Sequence, residues 1–209
     1  MADILVRELG FQDYATCMKL MQNFVAERDE NTQDEIWLLQ HPPVYTQGTG
    51  CDAVTLVPSE IPVVKSDRGG QITYHGPGQI IMYPLLRLKR FGLGIKSMVN
   101  LLEQTSIDIL ADYAIAAERR QGAPGVYVAD QKISALGLRV KRGSTYHGLS
   151  LNVSMDLSPF SNIDPCGYKG LEVTQVSDFV ADIDYSDLEQ RLAGHFIHLV
   201  QQHYEATQL

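Results

Sequence analysis

Arg68-Gly69-Gly70-Gln71-Ile72-Thr73-Tyr74-His75-Gly76-Pro77-Gly78-Gln79-Ile80-Ile81-Met82-Tyr83-Pro84-Leu85-Leu86 is the stretch on which the reading of the fold turns. Its second half is nearly all apolar, and Ile80, Ile81, Met82 and Tyr83 read as a buried strand. Its first half holds a shorter strand candidate before Gly76-Pro77-Gly78. Two strands joined by a glycine-containing loop predict a hairpin. The first half is also polar and glycine-dense, with an Arg, a His and two Gln up to Gln79. Glycine has no Cβ, so a ligand can approach such a backbone closely. The segment is neither a Walker A loop nor a dinucleotide fingerprint. From composition, a binding wall and an ordinary hairpin both remain open.

Working outward, residues 4–6, 36–39 and 61–64 read as short strands. The one at 36–39 ends at His41-Pro42-Pro43, where the second proline keeps the first extended. Residues 125–129, 132–141 and 146–153 are further strand candidates. Tyr14, Cys17, Met18, Met21, Phe24 and Val25 recur at spacings of three and four, which predicts a helix over 11–28 with Cys17 in the core. A second helix is expected over 95–113. A third is expected over 185–204, opened by Ser186 with Glu189 three residues on in a capping-box pattern. Helices towards both ends and strands between them predict an α+β fold, a mixed or antiparallel sheet flanked by helices. The length of 209 residues is read as one domain, residues 1–209, large enough to bury a core without staples.

Lys and Arg total 17 against 25 Asp and Glu, a formal charge of −8. That balance argues against a general nucleic-acid or anionic-membrane binder, which needs surplus positive charge. No apolar run approaches the roughly 18–20 residues that span a bilayer. The first residues carry Asp3 and Glu8 and lack a signal-peptide layout, so a cytoplasmic protein is expected. Cys17, Cys51 and Cys166 are too few and too irregularly spaced for a disulfide framework or a zinc site.

Two further segments could carry chemistry. In Lys132-Ile133-Ser134-Ala135-Leu136-Gly137-Leu138-Arg139-Val140, strand alternation puts Lys132 in one row with Ser134, Leu136, Leu138 and Val140, unless a bulge at Gly137 changes the register. A lysine among apolar side chains loses hydration of its ammonium, which suits it to general-base work. It equally starts its strand, where its amine can simply reach solvent. In Pro165-Cys166-Gly167-Tyr168, Cys166 sits in a loop away from any apolar run, unlike Cys17. That makes it a candidate nucleophile. Cys51, near Gly48 and Gly50, is not separated from it by context alone. His195, His198 and His203 share the last helix with no obvious partner ligands. His147 alternates with Leu149, Leu151 and Val153 towards a core face. Arg87-Lys89-Arg90 and Arg139-Lys141-Arg142 are either solvated surface or a docking patch for an acidic partner.

Taken together, His41-Pro42-Pro43-Val44-Tyr45-Thr46-Gln47-Gly48, the Arg68–Gln79 run, the Lys132–Arg139 run and Ser158-Pro159-Phe160 leading to Pro165-Cys166-Gly167-Tyr168 resemble the lipoyl(octanoyl) transferase family of protein lipoylation. The resemblance covers most of the chain. It implies the catalytic-domain fold of biotin and lipoate protein ligases. It implies transfer of an octanoyl group from octanoyl-acyl carrier protein to a lysine of lipoyl domains, through a cysteine acyl-enzyme. The acceptors it implies are 2-oxoacid dehydrogenase complexes and the glycine cleavage H protein; it implies no cofactor, no metal, no nucleic acid and no membrane.

Carried over position by position, the acyl-accepting cysteine falls on Cys166 and the catalytic lysine on Lys132. The binding segments fall on Arg68, Gly69, Gly70, Gln71, Ile72, Thr73, Tyr74 and His75, on Ala135, Leu136 and Gly137, and on Gly148, Leu149 and Ser150. The family often has Ser where this chain has Ala135. Leu136, Leu138 and Leu149 are the expected lining of an acyl groove. The alternatives are an ATP-dependent lipoate or biotin ligase, which needs no cysteine; a non-catalytic binder of acyl carrier protein or lipoyl domains; and a thioesterase.

Overall fold

The computed structural model describes residues 3–51, 60–163 and 172–208. Among these residues ten strands and three α-helices follow one another: β1 (Ile4–Phe11), α1 (Tyr14–Glu27), β2 (Asp34–Gln40), β3 (Val44–Gln47), β4 (Val63–Lys65), β5 (Ile72–His75), β6 (Gln79–Leu85), α2 (Ile95–Asp112), β7 (Glu118–Arg120), β8 (Ala123–Val128), β9 (Gln131–Lys141), β10 (Ser144–Asn152) and α3 (Tyr185–Ala206). Seven strands form one mixed sheet in the order β1-β2-β6-β10-β9-β8-β7, and β4-β3-β5 form a second. β1 and β2 run parallel with α1 as their crossover, while the other pairs of the large sheet are antiparallel. The expected α+β class with a mixed sheet is what the chain adopts.

Both faces of the large sheet are covered, which is why β2 and β6 read as continuous apolar runs rather than alternating ones. Ile36, Leu38, Ile80 and Met82 point to one side, against Met98, Leu102 and Leu110 of α2 and Leu192 and Phe196 of α3. Trp37, Leu39, Ile81 and Tyr83 point to the other, against Cys17, Met21 and Val25 of α1. Burial pushes the Cys17 thiol up to about 12, so this cysteine is a core side chain and no nucleophile. The small sheet has its own cluster, in which Tyr45, Ile72 and Tyr74 pack on Met155, Phe160 and Ile163.

The expected hairpin across Gly76-Pro77-Gly78 is not formed. β5 pairs with β3 in the small sheet, while β6 enters the large one between β2 and β10. The turn is stitched to other elements instead. Gly78 N donates to Gln40 Oε1 at 2.8 Å, and Gly78 O accepts from the backbone N–H of Val153 and Ser154. Gly78 has φ +85°, and a Cβ there would lie 1.9 Å from Ser154 O, so the contact requires glycine. The strand therefore crosses from one sheet to the other at this point. The start of α3 also differs from the expected Ser186 box, because Asp184 caps the helix by accepting from Asp187 N. Among the described residues no helix is long and apolar enough to cross a membrane.

Candidate active site

A cleft of about 730 Å³, its open mouth included, runs between the small sheet and the β9–β10 face of the large one. Arg68, Gly70, Gln71, Ile72, Thr73 and His75 line it from one side. Ala135, Leu136, Gly137, Gly148, Leu149 and Ser150 line it from the other, and Lys132 lies on the same wall. Gly69 and Tyr74 are not part of the lining. Gly69 donates its N–H to Leu138 O, and Tyr74 is turned into the small-sheet core against Phe160 and Tyr45. Leu138 also faces away, packing with Leu136 and Val140 against the α2–α3 core. The cleft is further lined by Tyr83, His147, Asn152, Phe160 and Val173.

Lys132 does not share the row of Ser134, Leu136, Leu138 and Val140, and Gly137 is not the cause. The β8–β9 register runs Val126↔Ser134 and then Tyr127↔Lys132, so Ile133 is an extra residue on β9. Such a bulge turns the side chains beyond it to the other face. Ile133 and Ser134 stay with the helices: Ile133 is in the α2–α3 core, and the Ser134 hydroxyl meets Ser106 of α2 at 2.9 Å. Lys132 is thereby delivered to the cleft wall, where it is 5% exposed. Its Nζ donates to Pro124 O at 3.2 Å and lies 5.2 Å from the centre of the Tyr127 ring. Its backbone is held by residues 172–174, with Lys132 N donating to Glu172 O and Thr174 N donating to Lys132 O. Cys166 lies outside the described residues.

Arg68 is buried and binds the protein's own carbonyls. Its Nη2 donates to Thr46 O at 2.6 Å and Gln71 O at 2.8 Å, and its Nη1 to Gly69 O at 2.9 Å. Through Nε and Nη2 it also reaches Thr46 Oγ1. A polar chain starts there. The Thr46 hydroxyl meets His75 Nε2 at 3.3 Å, His75 Nδ1–H donates to Gln79 Oε1 at 2.7 Å, Gln79 Nε2 donates to Asn152 Oδ1, and Asn152 Nδ2 donates to Thr174 O. Gln79 and the carbonyls only accept at those atoms, so the chain fixes His75 as the Nδ1–H tautomer. Burial holds His75 well below the usual imidazole range, and it is neutral. The chain locks the Gly-rich segment onto β6, β10 and the segment that pairs with Lys132.

His147 departs from its expected place in the row of Leu149, Leu151 and Val153. Its φ is +55°, an unusual conformation for a non-glycine residue. The ring lies with Tyr83 and Tyr146 of the α1-side cluster. Its Nε2–H donates to Asp67 Oδ1 at 2.9 Å, while its buried Nδ1 has no partner among the described residues. Burial lowers His147 from its ordinary value despite the carboxylate. Asp67 is pushed up by burial, but hydrogen bonds from His147, Tyr146 and Gln22 together pull it well below the usual carboxylate range. Thr46 enters the sequence reading only as one member of the His41–Gly48 segment, and nothing local marks Asp67 or Asn152; all three matter through partners 22 to 80 residues away.

Among the described residues no three His, Cys, Asp or Glu side chains converge to hold a metal. His195 pairs with Asp112, His198 with Gln202, and His203 with Gly92 O, so each is taken up on its helix surface. The two basic clusters meet in space: Arg87 bridges Ser144, and Leu88 N donates to Gly143 O. Arg90 is committed to structure there, pairing with the fully buried Asp34, which Arg28 also holds.

Residues 13–197 match the family model for the lipoyl protein ligase A/B catalytic domain. An octanoyltransferase of Alkalilimnicola ehrlichii is 52% identical over 201 residues, 96% of this chain and 94% of that protein. An octanoyltransferase of Salmonella typhimurium is 52% identical over 198 residues, 94% and 93% of the two chains. Among solved structures, a putative lipoate protein ligase from T. acidophilum aligns with a TM-score of 0.74 at 16% identity, over 96% of this chain and 85% of that one. A biotin protein ligase from Aquifex aeolicus, in complex with biotin and ATP, aligns with a TM-score of 0.61 at 11% identity, over 96% and 72%. These last two likenesses concern the fold.

Proposed function

The chain belongs to the lipoyl protein ligase A/B catalytic-domain family, and from that premise we propose that it moves an octanoyl group from octanoyl-acyl carrier protein, by way of Cys166, to a lysine of a lipoyl domain. The chain is an acyltransferase, an octanoyltransferase of protein lipoylation like the relatives that are 52% identical to it. The route through a cysteine, the carrier-protein donor and the roles of single residues are the proposed part.

One observation carries the route. The bulge at Ile133 brings a buried lysine amine to the wall of a largely apolar cleft. The described residues on either side of Cys166 in the sequence support the pairing, since Phe160 and Val173 both line that cleft. In the proposed first step the neutral Lys132 amine takes the Sγ–H proton and the thiolate attacks the thioester carbonyl. The bond to the carrier's thiol breaks, and that leaving sulfur takes the proton back from Lys132. The acyl group is then a thioester of Cys166. In the second step the acceptor lysine's amine attacks that thioester and gives a proton to Lys132. Cys166 leaves and recovers the proton. Each half-reaction balances without ATP, because the acyl group arrives already activated. Ile72, Phe160 and Val173 offer apolar wall to the acyl chain, at about 0.8 kcal/mol for each methylene buried, whereas Leu136 and Leu149 border the cleft but pack, like Leu138, in the α2–α3 core.

The test is transfer itself. Purified enzyme with octanoyl-acyl carrier protein and an unmodified lipoyl domain is expected to add one octanoyl group to the domain with no ATP or magnesium present, read by mass. Modification that instead requires free octanoate, ATP and magnesium would reject this route in favour of an adenylating ligase. Release of octanoate without an acceptor would mark a thioesterase.

A further inference from the structure

Resting on the reading that Lys132 moves the proton, the geometry points to Glu103 of α2 as a positioning residue that acts on Lys132 through a single peptide group. Glu103 is a charged side chain buried at 6% exposure beneath the sheet. Its Oε1 accepts from Gly125 N at 3.1 Å, and its Oε2 accepts from Arg119 Nε at 3.1 Å. The carbonyl of that same peptide unit, Pro124 O, accepts from Lys132 Nζ at 3.2 Å. Glu103 and Lys132 therefore hold opposite ends of the Pro124–Gly125 peptide. A carboxylate on the N–H end aligns with the peptide dipole and raises the negative charge that the carbonyl presents to the amine.

Gly125 makes the contact possible. Its φ is +139°, and a Cβ would lie 2.9 Å from Lys132 Cε. The arrangement places the amine against a carbonyl that Glu103 polarises, while Arg119 offsets part of the carboxylate's charge. Tyr127 also faces the amine. The Arg120 guanidinium lies on the Tyr127 ring and pairs with Asp130. On the segment paired with Lys132, the Glu172 carboxylate is held by Gln131. Arg119 is additionally bonded to Asn100 O and Gln104.

The experiment is the pH dependence of kcat for octanoyl transfer in Glu103→Gln, Glu103→Leu and Arg119→Gln. Glu103→Gln keeps an acceptor oxygen for Gly125 but loses the charge, so the ammonium is less favoured. The acid limb is expected to move down by roughly half a pH unit. Arg119→Gln leaves the carboxylate unopposed, and the limb is expected to move up. Glu103→Leu loses the hydrogen bond as well and should lower kcat by roughly 10–100-fold with the donor KM little changed, the usual size for a residue that orients a reacting group. Opposite shifts from two substitutions at one ion pair are not produced by mere loosening of the fold. The inference is overturned if both limbs stay with the parent enzyme or move the same way. Should the Glu103 variants fail to fold, the direction of the Arg119→Gln shift decides alone. Lys132→Met separates the two levels: full activity there sinks the role of Lys132, whereas inactivity with unmoved Glu103 and Arg119 profiles sinks only the role of Glu103.

Discussion

A methyl group on Gly125 would press on Lys132 Cε and on Ser134 O, each at 2.9 Å, at a backbone φ that disfavours any side chain. Gly125→Ala should therefore displace the amine while leaving most of the fold in place. The expected result is at least a tenfold loss of kcat with a small change in donor KM. Strain of about 1–3 kcal/mol should accompany it, seen as a melting temperature lower by several degrees. A folded Gly125→Ala enzyme with the parent's kcat would show that Lys132 is not held where catalysis needs it. At this scale the sequence identifies residue types better than directions. Lys132 stood out by its apolar neighbours, but its face depends on the extra residue Ile133 opposite β8, a non-local fact. His147 was misread for a related reason, since alternation assumes an extended backbone and its φ is +55°.

Among the elements, the helices were the most legible because their evidence is local. The three-and-four spacing predicted α1 over 11–28, and the structure trims it to Tyr14–Glu27 with Asp13 as the cap. The strands of the large sheet other than β7 were found for the same reason, most clearly β2 and β6, which are buried on both faces. Pairing was not legible. A turn as compact as Gly76-Pro77-Gly78 normally closes a hairpin, yet here the residues before and after it have different partners. Ile72–His75 faces β3, with His75 wired to Thr46, while Gln79–Leu85 needs apolar cover on both sides. That divergence opens the space between the sheets in which the cleft lies. β3 and β7 were missed because four and three residues carry too little pattern to read. Most of the lining was nevertheless named from the family resemblance, including Arg68, Gly70, His75, Gly137 and Ser150. What the resemblance did not supply was the frame behind it: it gives no role to Thr46 and Gln79, which lie within its segments, and does not reach Asp67 or Asn152.

Across the molecule, three imidazoles meet around one ring. Tyr14 packs against His41 at 5.1 Å, His75 at 5.9 Å and His147 at 6.3 Å between ring centres. All three are buried and all three are lowered by burial, His41 to about 4. The unfolded chain binds protons at ordinary histidines, near pH 6.5, before the folded one does. Stability is thus fully present above that pH and is lost as pH falls towards the folded values. For His41 alone the loss at pH 5 is about 2 kcal/mol, or roughly 4–8 °C in melting temperature for a chain of this size. In Glu189→Gln, which removes a carboxyl that burial raises to about 7 and that opposes the loss over the same range, thermal melts between pH 8 and pH 5 should show a drop at least that large, beginning below about pH 7. A flat profile would mean that these rings are hydrated or protonated in the folded protein. The central claim concerns the reaction of the whole enzyme with its donor, and intact-protein mass analysis after mixing with octanoyl-acyl carrier protein, with no acceptor present, tests it most directly. The account predicts one octanoyl adduct, mapped to Cys166, labile to hydroxylamine and absent from Cys166→Ser; an adduct mapped to Cys51, or undiminished transfer by Cys166→Ser, would contradict it.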